Sequence, residues 1–177
     1  MKHIHTLALG AGLLCLAATA GAAFAHATLE TGEAPAGSYY KAVIRIGHGC
    51  EGAATTAIRV RIPEGVIAVK PMPKPGWQLT TKEGEYAQAY DNHGTRITSG
   101  VTEIAWTGGS LPDAWYDEFV FRAKLPEQPP GTVLRFPIVQ ECEKGVHRWI
   151  EVPQPGQSDD ALKEPAPAVR LTAPKPR

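Results

Sequence analysis

Long hydrophobic runs, methionine and cysteine are all scarce in this sequence, and each scarcity rules something out. After residue 25 no apolar stretch approaches the roughly 20 residues that a membrane-spanning helix needs. The 18 basic and 18 acidic side chains cancel, so nothing in the charge points to nucleic acid or an anionic membrane surface. Met1 and Met72 are the only methionines, which excludes the methionine clusters that favour Cu(I). No glycine-rich phosphate loop, GxSxG elbow or HExxH helix is present, so the expectation is a binding protein and not an enzyme.

What is there begins with the first 25 residues, which have the three parts of a secretory signal. Lys2 supplies the positive start, Leu7 to Ala18 the short apolar run, and Ala23-Phe24-Ala25 the small-residue cleavage site. Cuts after Ala20 or Ala22 satisfy the same rule; the cut after Ala25 makes His26 the first residue of an exported, periplasmic chain. Leu14 stands before Cys15 where a lipoprotein signal wants a small residue, which argues against lipidation. That leaves Cys50 and Cys142, an even count that in an exported domain reads as a disulfide. Closing a loop of roughly 90 residues stabilises a fold by about 4–5 kcal/mol in the chain-entropy model. The rival reading is a thiolate metal site.

The body of the chain alternates at period two. Tyr40, Ala42, Ile44 and Ile46 share one face of a strand over Tyr39–Ile46, with Lys41 and Arg45 on the other. Ile58, Val60 and Ile62 do the same against Arg59 and Arg61. Further strands are expected at Val66–Lys70, Gln78–Lys82, Thr95–Trp106, Glu118–Lys124, Val133–Val139 and His147–Val152. Gly108-Gly109 is one of the breaks between them. With 18 glycines and 16 prolines, little room remains for long helices. Short strands with one apolar face imply an all-β sandwich. The domain is expected over 26–153, followed by a Pro-rich tail over 154–177 in which Val169 to Thr172 forms at most an edge strand.

Three places could carry chemistry. An N-terminal His26 offers an α-amine and imidazole Nδ1 that close one chelate ring on a metal. The amine has an ordinary pKa of about 7.7–8.0, so it gives up its proton easily near neutral pH. Two such nitrogens suit Cu(II). The loop "IGHGCEGAATT" offers His48 and Glu51 on either side of Cys50, although a loop-capping histidine and a solvated carboxylate are the commoner explanation of such a pair. In "QECEKGVHRWIEV", a core-facing Ile150 and Val152 would put His147 and Trp149 on the opposite face; the alternative is a buried Trp149. A Cys50–Cys142 bridge would bring this strand beside the His48–Glu51 loop.

"HATLE", "GSYYKAVIRIGHGCEGAATTAIRVRIPEGV", "PMPKPGW", "WTGGSLPDAWYDEFVFRAKLP" and "LRFPIVQECEKGVHRWIEVP" together resemble the YcnI-like domain of exported bacterial proteins, from His26 to about Pro153. The resemblance implies an immunoglobulin or fibronectin III-like, cupredoxin-like β-sandwich and a link to copper handling. Its partners would be a copper ion and either another periplasmic copper chaperone or a copper-import membrane protein. It also implies a mono-histidine brace for Cu(II), made by the amine and ring of an N-terminal histidine, a carboxylate and a nearby tryptophan. On this sequence those positions fall on His26, Glu51 and Trp149. The "HGCEG" loop departs from family members that lack the two cysteines Cys50 and Cys142.

Two other functions fit the residues. An immunoglobulin-like module could recognise a protein or sugar through Trp77, Trp115 and Tyr116, although the expectation for these rings is the core. A copper-dependent oxidative enzyme would need a further nitrogen ligand, for which His48, His93 and His147 are the candidates.

Overall fold

The structure is a computed structural model that describes residues 26–175; the expected signal segment lies outside the described residues. Twelve strands follow one another: β1 (Thr28–Leu29), β2 (Glu33–Pro35), β3 (Tyr39–Ile46), β4 (Thr55–Arg61), β5 (Ile67–Pro71), β6 (Gln78–Asn92), β7 (Thr95–Leu111), β8 (Asp117–Lys124), β9 (Val133–Arg135), β10 (Ile138–Cys142), β11 (Val146–Trp149) and β12 (Ala168–Thr172). The one helical element among the described residues is a 3-10 turn over Asp159–Ala161, capped by the Ser158 hydroxyl. The strands form a four-stranded sheet in the order β1-β3-β8-β5, a five-stranded sheet β11-β10-β4-β7-β6, and a small sheet β2-β12-β9.

The alternation explains the layers. Ala42, Ile44 and Ile46 of β3 are all buried, as are Phe119 and Phe121 of β8. They meet the inward residues of the larger sheet, Ile58, Val60, Ile104, Trp106 and Ile138, in one hydrophobic core. The registers line these residues up in rows: Ile138 stands opposite Val60 and Trp149, and Gln140 opposite Ile58 and His147. A row therefore runs His147–Gln140–Ile58–Trp106 across the inner face. Trp106 closes its own polar valence by donating Nε1–H to the Met72 carbonyl at 3.0 Å.

Several expectations need correction. Gly108 and Gly109 do not break a strand but lie inside β7, which pairs with β6 in a long hairpin. Gly109 is there for close packing, since a β-carbon would collide with the Trp77 indole. The expected strand Val133–Val139 is two strands, because Pro137 separates β9 from β10 and the two join different sheets. The core also continues past Pro153. Val169 and Leu171 of β12 are buried in it, and β12 is the central strand of its sheet, parallel to β2 and antiparallel to β9. The surrounding prolines pointed to no more than an edge strand, but its alternation (Val169 and Leu171 in, Arg170 out) is that of any other strand here. Finally, Trp115 and Tyr116, expected in the core, are 65% and 55% exposed. Trp77 is half-buried and packs edge-on against Phe119 at 4.9 Å.

Candidate metal centre

At one end of the sandwich the chain folds three histidines around Trp149. In β11 the pleat puts His147 and Trp149 on the inner face and Val146 and Arg148 outside. Of the two faces open to this strand, the structure takes the one with Trp149 buried: Ile150 and Val152 are exposed, and Trp149 is 2% exposed. The indole is the larger apolar body, and the inward position goes to it. His147 stacks on the indole with ring centroids 4.9 Å apart. His26 approaches it edge-on at 5.9 Å and His48 edge-on at 6.3 Å. His48 and His147 meet at 5.5 Å, nearly perpendicular.

Each ring is held by local structure. His26 stands just before β1, whose two residues pair with Ile44 and Arg45 of β3. Its Nε2 is buried without a hydrogen-bond partner among the described residues, a costly state for a polar nitrogen. His48 belongs to the loop leading into Cys50. There Gly49 donates its N–H to Asp113 Oδ1 at 2.9 Å, and a β-carbon at Gly49 would collide with the Ala53 carbonyl. His48 Nδ1 lies 2.5 Å from the Gly49 carbonyl oxygen. His147 Nδ1–H donates to Glu164 Oε1 at 2.8 Å, and the Arg148 N–H donates to Glu164 Oε2 at 2.9 Å. Burial pushes the Glu164 carboxyl up, but these hydrogen bonds outweigh it and hold the pKa below its ordinary 4.5.

The expected disulfide is present. Cys50 and Cys142 are bonded across 92 residues with Cα atoms 5.9 Å apart, tying the His48 loop to the end of β10. Glu51 follows at once, at the tip of a two-residue turn in which Cys50 and Ala53 exchange backbone hydrogen bonds of 3.0 and 2.9 Å. Glu51 and Gly52 both have positive φ, 50° and 88°, as a turn of this kind requires. The Glu51 carboxylate is exposed and makes no hydrogen bond or ion pair among the described residues. It lines an open cavity of about 530 Å³ together with Cys50, Glu143, Lys144 and His147; neither His26 nor Trp149 lines it.

The three expected site residues thus divide. His26 and Trp149 are brought together, and Glu51 shares a cavity with His147 instead. Among the described residues no group of three or more His, Cys, Asp or Glu side chains is placed to hold a metal ion. A brace differs from such a cluster in drawing two donors from one residue. Nδ1 is the ring nitrogen that can close a chelate with the α-amine, and the buried Nε2 of His26 leaves that role to it. His93 is remote from the group, at the tip of the β6–β7 hairpin. Sequence reasoning missed Gln140 and Glu164. Gln140 was signalled only by an amide at an inward position of β10, and Glu164 by nothing in its Pro-rich surroundings.

The comparisons with known proteins agree with this fold. A family model described as a domain of unknown function, DUF1775, matches residues 26–171, and the chain belongs to that family. The match begins on His26 and runs to Leu171 of β12, and it is consistent with the YcnI-like resemblance. No curated protein matches the chain. One similar solved structure is a protein from Nocardia farcinica, described as uncharacterised and as having an immunoglobulin-like fold. It is 25% identical, covers 83% of this chain and 98% of its own, and superposes with a TM-score of 0.61.

Proposed function

We propose that this DUF1775 protein is exported to the periplasm, binds Cu(II) through a brace formed by His26, and sequesters the ion or hands it to a partner. The observation that carries the reading is the setting of His26. Its ring packs edge-on against a buried tryptophan, its Nε2 is buried with no hydrogen-bond partner among the described residues, and the family match begins on it. Cleavage after Ala25 creates the α-amine, so the amine and Nδ1 of one residue supply two nitrogens. Glu51 is the carboxylate that would supply the oxygen; it lines the neighbouring cavity with His147, so its turn beside the disulfide must shift toward His26 when the ion binds. Trp149 forms the wall that keeps water from one side. An amine, an imidazole and a carboxylate make the tetragonal N,O set that Cu(II) favours.

Binding without catalysis follows from the same donors, since the brace takes its nitrogens from His26 alone. The partner is a periplasmic copper chaperone or a copper-import membrane protein, which would take the ion by ligand exchange. Intact mass of the exported protein should give a chain starting at His26. Electron paramagnetic resonance of that chain with one equivalent of Cu(II) should then give an axial signal with coupling to two nitrogens, lost in His26→Ala. Coupling to three or four nitrogens would put His48 or His147 into the site, a reading favoured by their contact at 5.5 Å. No defined signal at all would favour the module that binds through the exposed Trp115 and Tyr116.

A further inference from the structure

Gln140 occupies an inward position of β10 where the alternation calls for an apolar residue. Ile138 fills the preceding inward position, and Gln140 is 1% exposed. A buried primary amide must find partners for two donors and an acceptor, and this one finds them on three separate segments. Its Oε1 accepts the indole N–H of Trp149 at 3.0 Å. Its Nε2 donates to the His48 carbonyl at 2.7 Å and to Thr55 Oγ1 at 2.8 Å. The two ends cannot be exchanged. An indole nitrogen only donates and a carbonyl oxygen only accepts, so the partners themselves dictate which end of the amide faces which.

One side chain therefore sets two things at once. It fixes the rotation of the indole on which His26, His48 and His147 pack, and it ties down the backbone of the His48 loop. Trp106, the other buried tryptophan of this sheet, bonds a backbone carbonyl instead and needs no such residue. We infer that Gln140 is the positioning residue of the candidate copper site, orienting Trp149 and the His48 loop without touching the ion. This role rests on the copper reading of His26 above.

The test uses the processed chain starting at His26, with Gln140→Leu, Gln140→Glu and the control Ile58→Val. Gln140→Leu removes all three bonds. Gln140→Glu still accepts from the indole but loses the amide donors, so it releases the His48 carbonyl. Ile58→Val disturbs the same row of the core and leaves the amide's partners alone. Both Gln140 variants should bind Cu(II) about tenfold more weakly, as loss of an outer support of a metal site does, and broaden the copper hyperfine lines. Ile58→Val should lower the melting temperature and leave affinity and spectrum as in the wild type. If Gln140→Leu does not fold, Gln140→Glu carries the comparison. Wild-type affinity and spectrum in a folded Gln140 variant overturn the positioning role and leave the copper reading intact. An equal change in Ile58→Val also overturns the role, as general loosening of the core. A wild-type chain that binds no Cu(II) overturns the copper reading and the role with it, and is told apart by that missing signal.

Discussion

His93 and His147 both lie against an aromatic ring, yet only one of them belongs to something that resembles a site. His93 sits at the exposed tip of the β6–β7 hairpin with φ 55°, stacks on Tyr39 at 6.0 Å and meets the Tyr39 hydroxyl at 3.1 Å through Nε2. Arg122 covers the same tyrosine ring at 3.7 Å. That is a surface contact between a hairpin tip and the sheet beneath it. His147 stacks on a buried indole, is bonded by Glu164 from the far C-terminal segment, and meets His48 from a loop that the disulfide anchors. The difference is convergence. Segments from both ends of the chain and its middle meet at Trp149, and each is held by its own bond.

The comparison can be broken most forcefully at the disulfide. Replacing both Cys50 and Cys142 by serine should cost about 4 kcal/mol of stability, read by denaturant unfolding. Amide exchange should quicken around the His48 loop and not around His93. Next comes Gly49→Ala, which drives a β-carbon into the Ala53 carbonyl. It should destabilise by about 1–3 kcal/mol and weaken Cu(II) binding by displacing the His48 loop. Acid acts more gently. The Glu164 pKa is lowered in the folded state, so its contribution is complete above its ordinary 4.5 and is lost as pH falls through the folded value. The stability difference between wild type and Glu164→Gln should therefore shrink on acidification below about pH 4.5. Smallest of all, His93→Ala should change stability by less than about 0.5 kcal/mol and leave copper affinity within twofold, as an exposed contact does.

The fold was largely legible because alternation is a local property. Tyr39–Ile46 could be marked to the residue, and the cysteine count led directly to the bridge. Legibility failed where a partner from elsewhere decides. The sign of the alternation in β11 depends on which sheet lies behind Trp149, so the pattern alone left open whether Ile150 or Trp149 faces inward. The role of β12 depends on strands β2 and β9, which no local pattern names. In the candidate site, the cleavage rule pointed to His26 and the resemblance to Trp149. Nothing pointed to Gln140 and Glu164, because a hydrogen bond between distant segments leaves no mark on the spacing of either.

The central claim is that processing makes the copper site, and the most direct measurement compares Cu(II) affinity in two chains. One has the free α-amine of His26 and the other carries an acetyl group on that amine. Acetylation turns the α-amine into an amide nitrogen, keeps every side chain, and leaves the imidazole without its chelate partner. The account predicts that the acetylated chain binds Cu(II) at least about 100-fold more weakly and loses one nitrogen coupling from its spectrum. Equal affinities and identical spectra would contradict it.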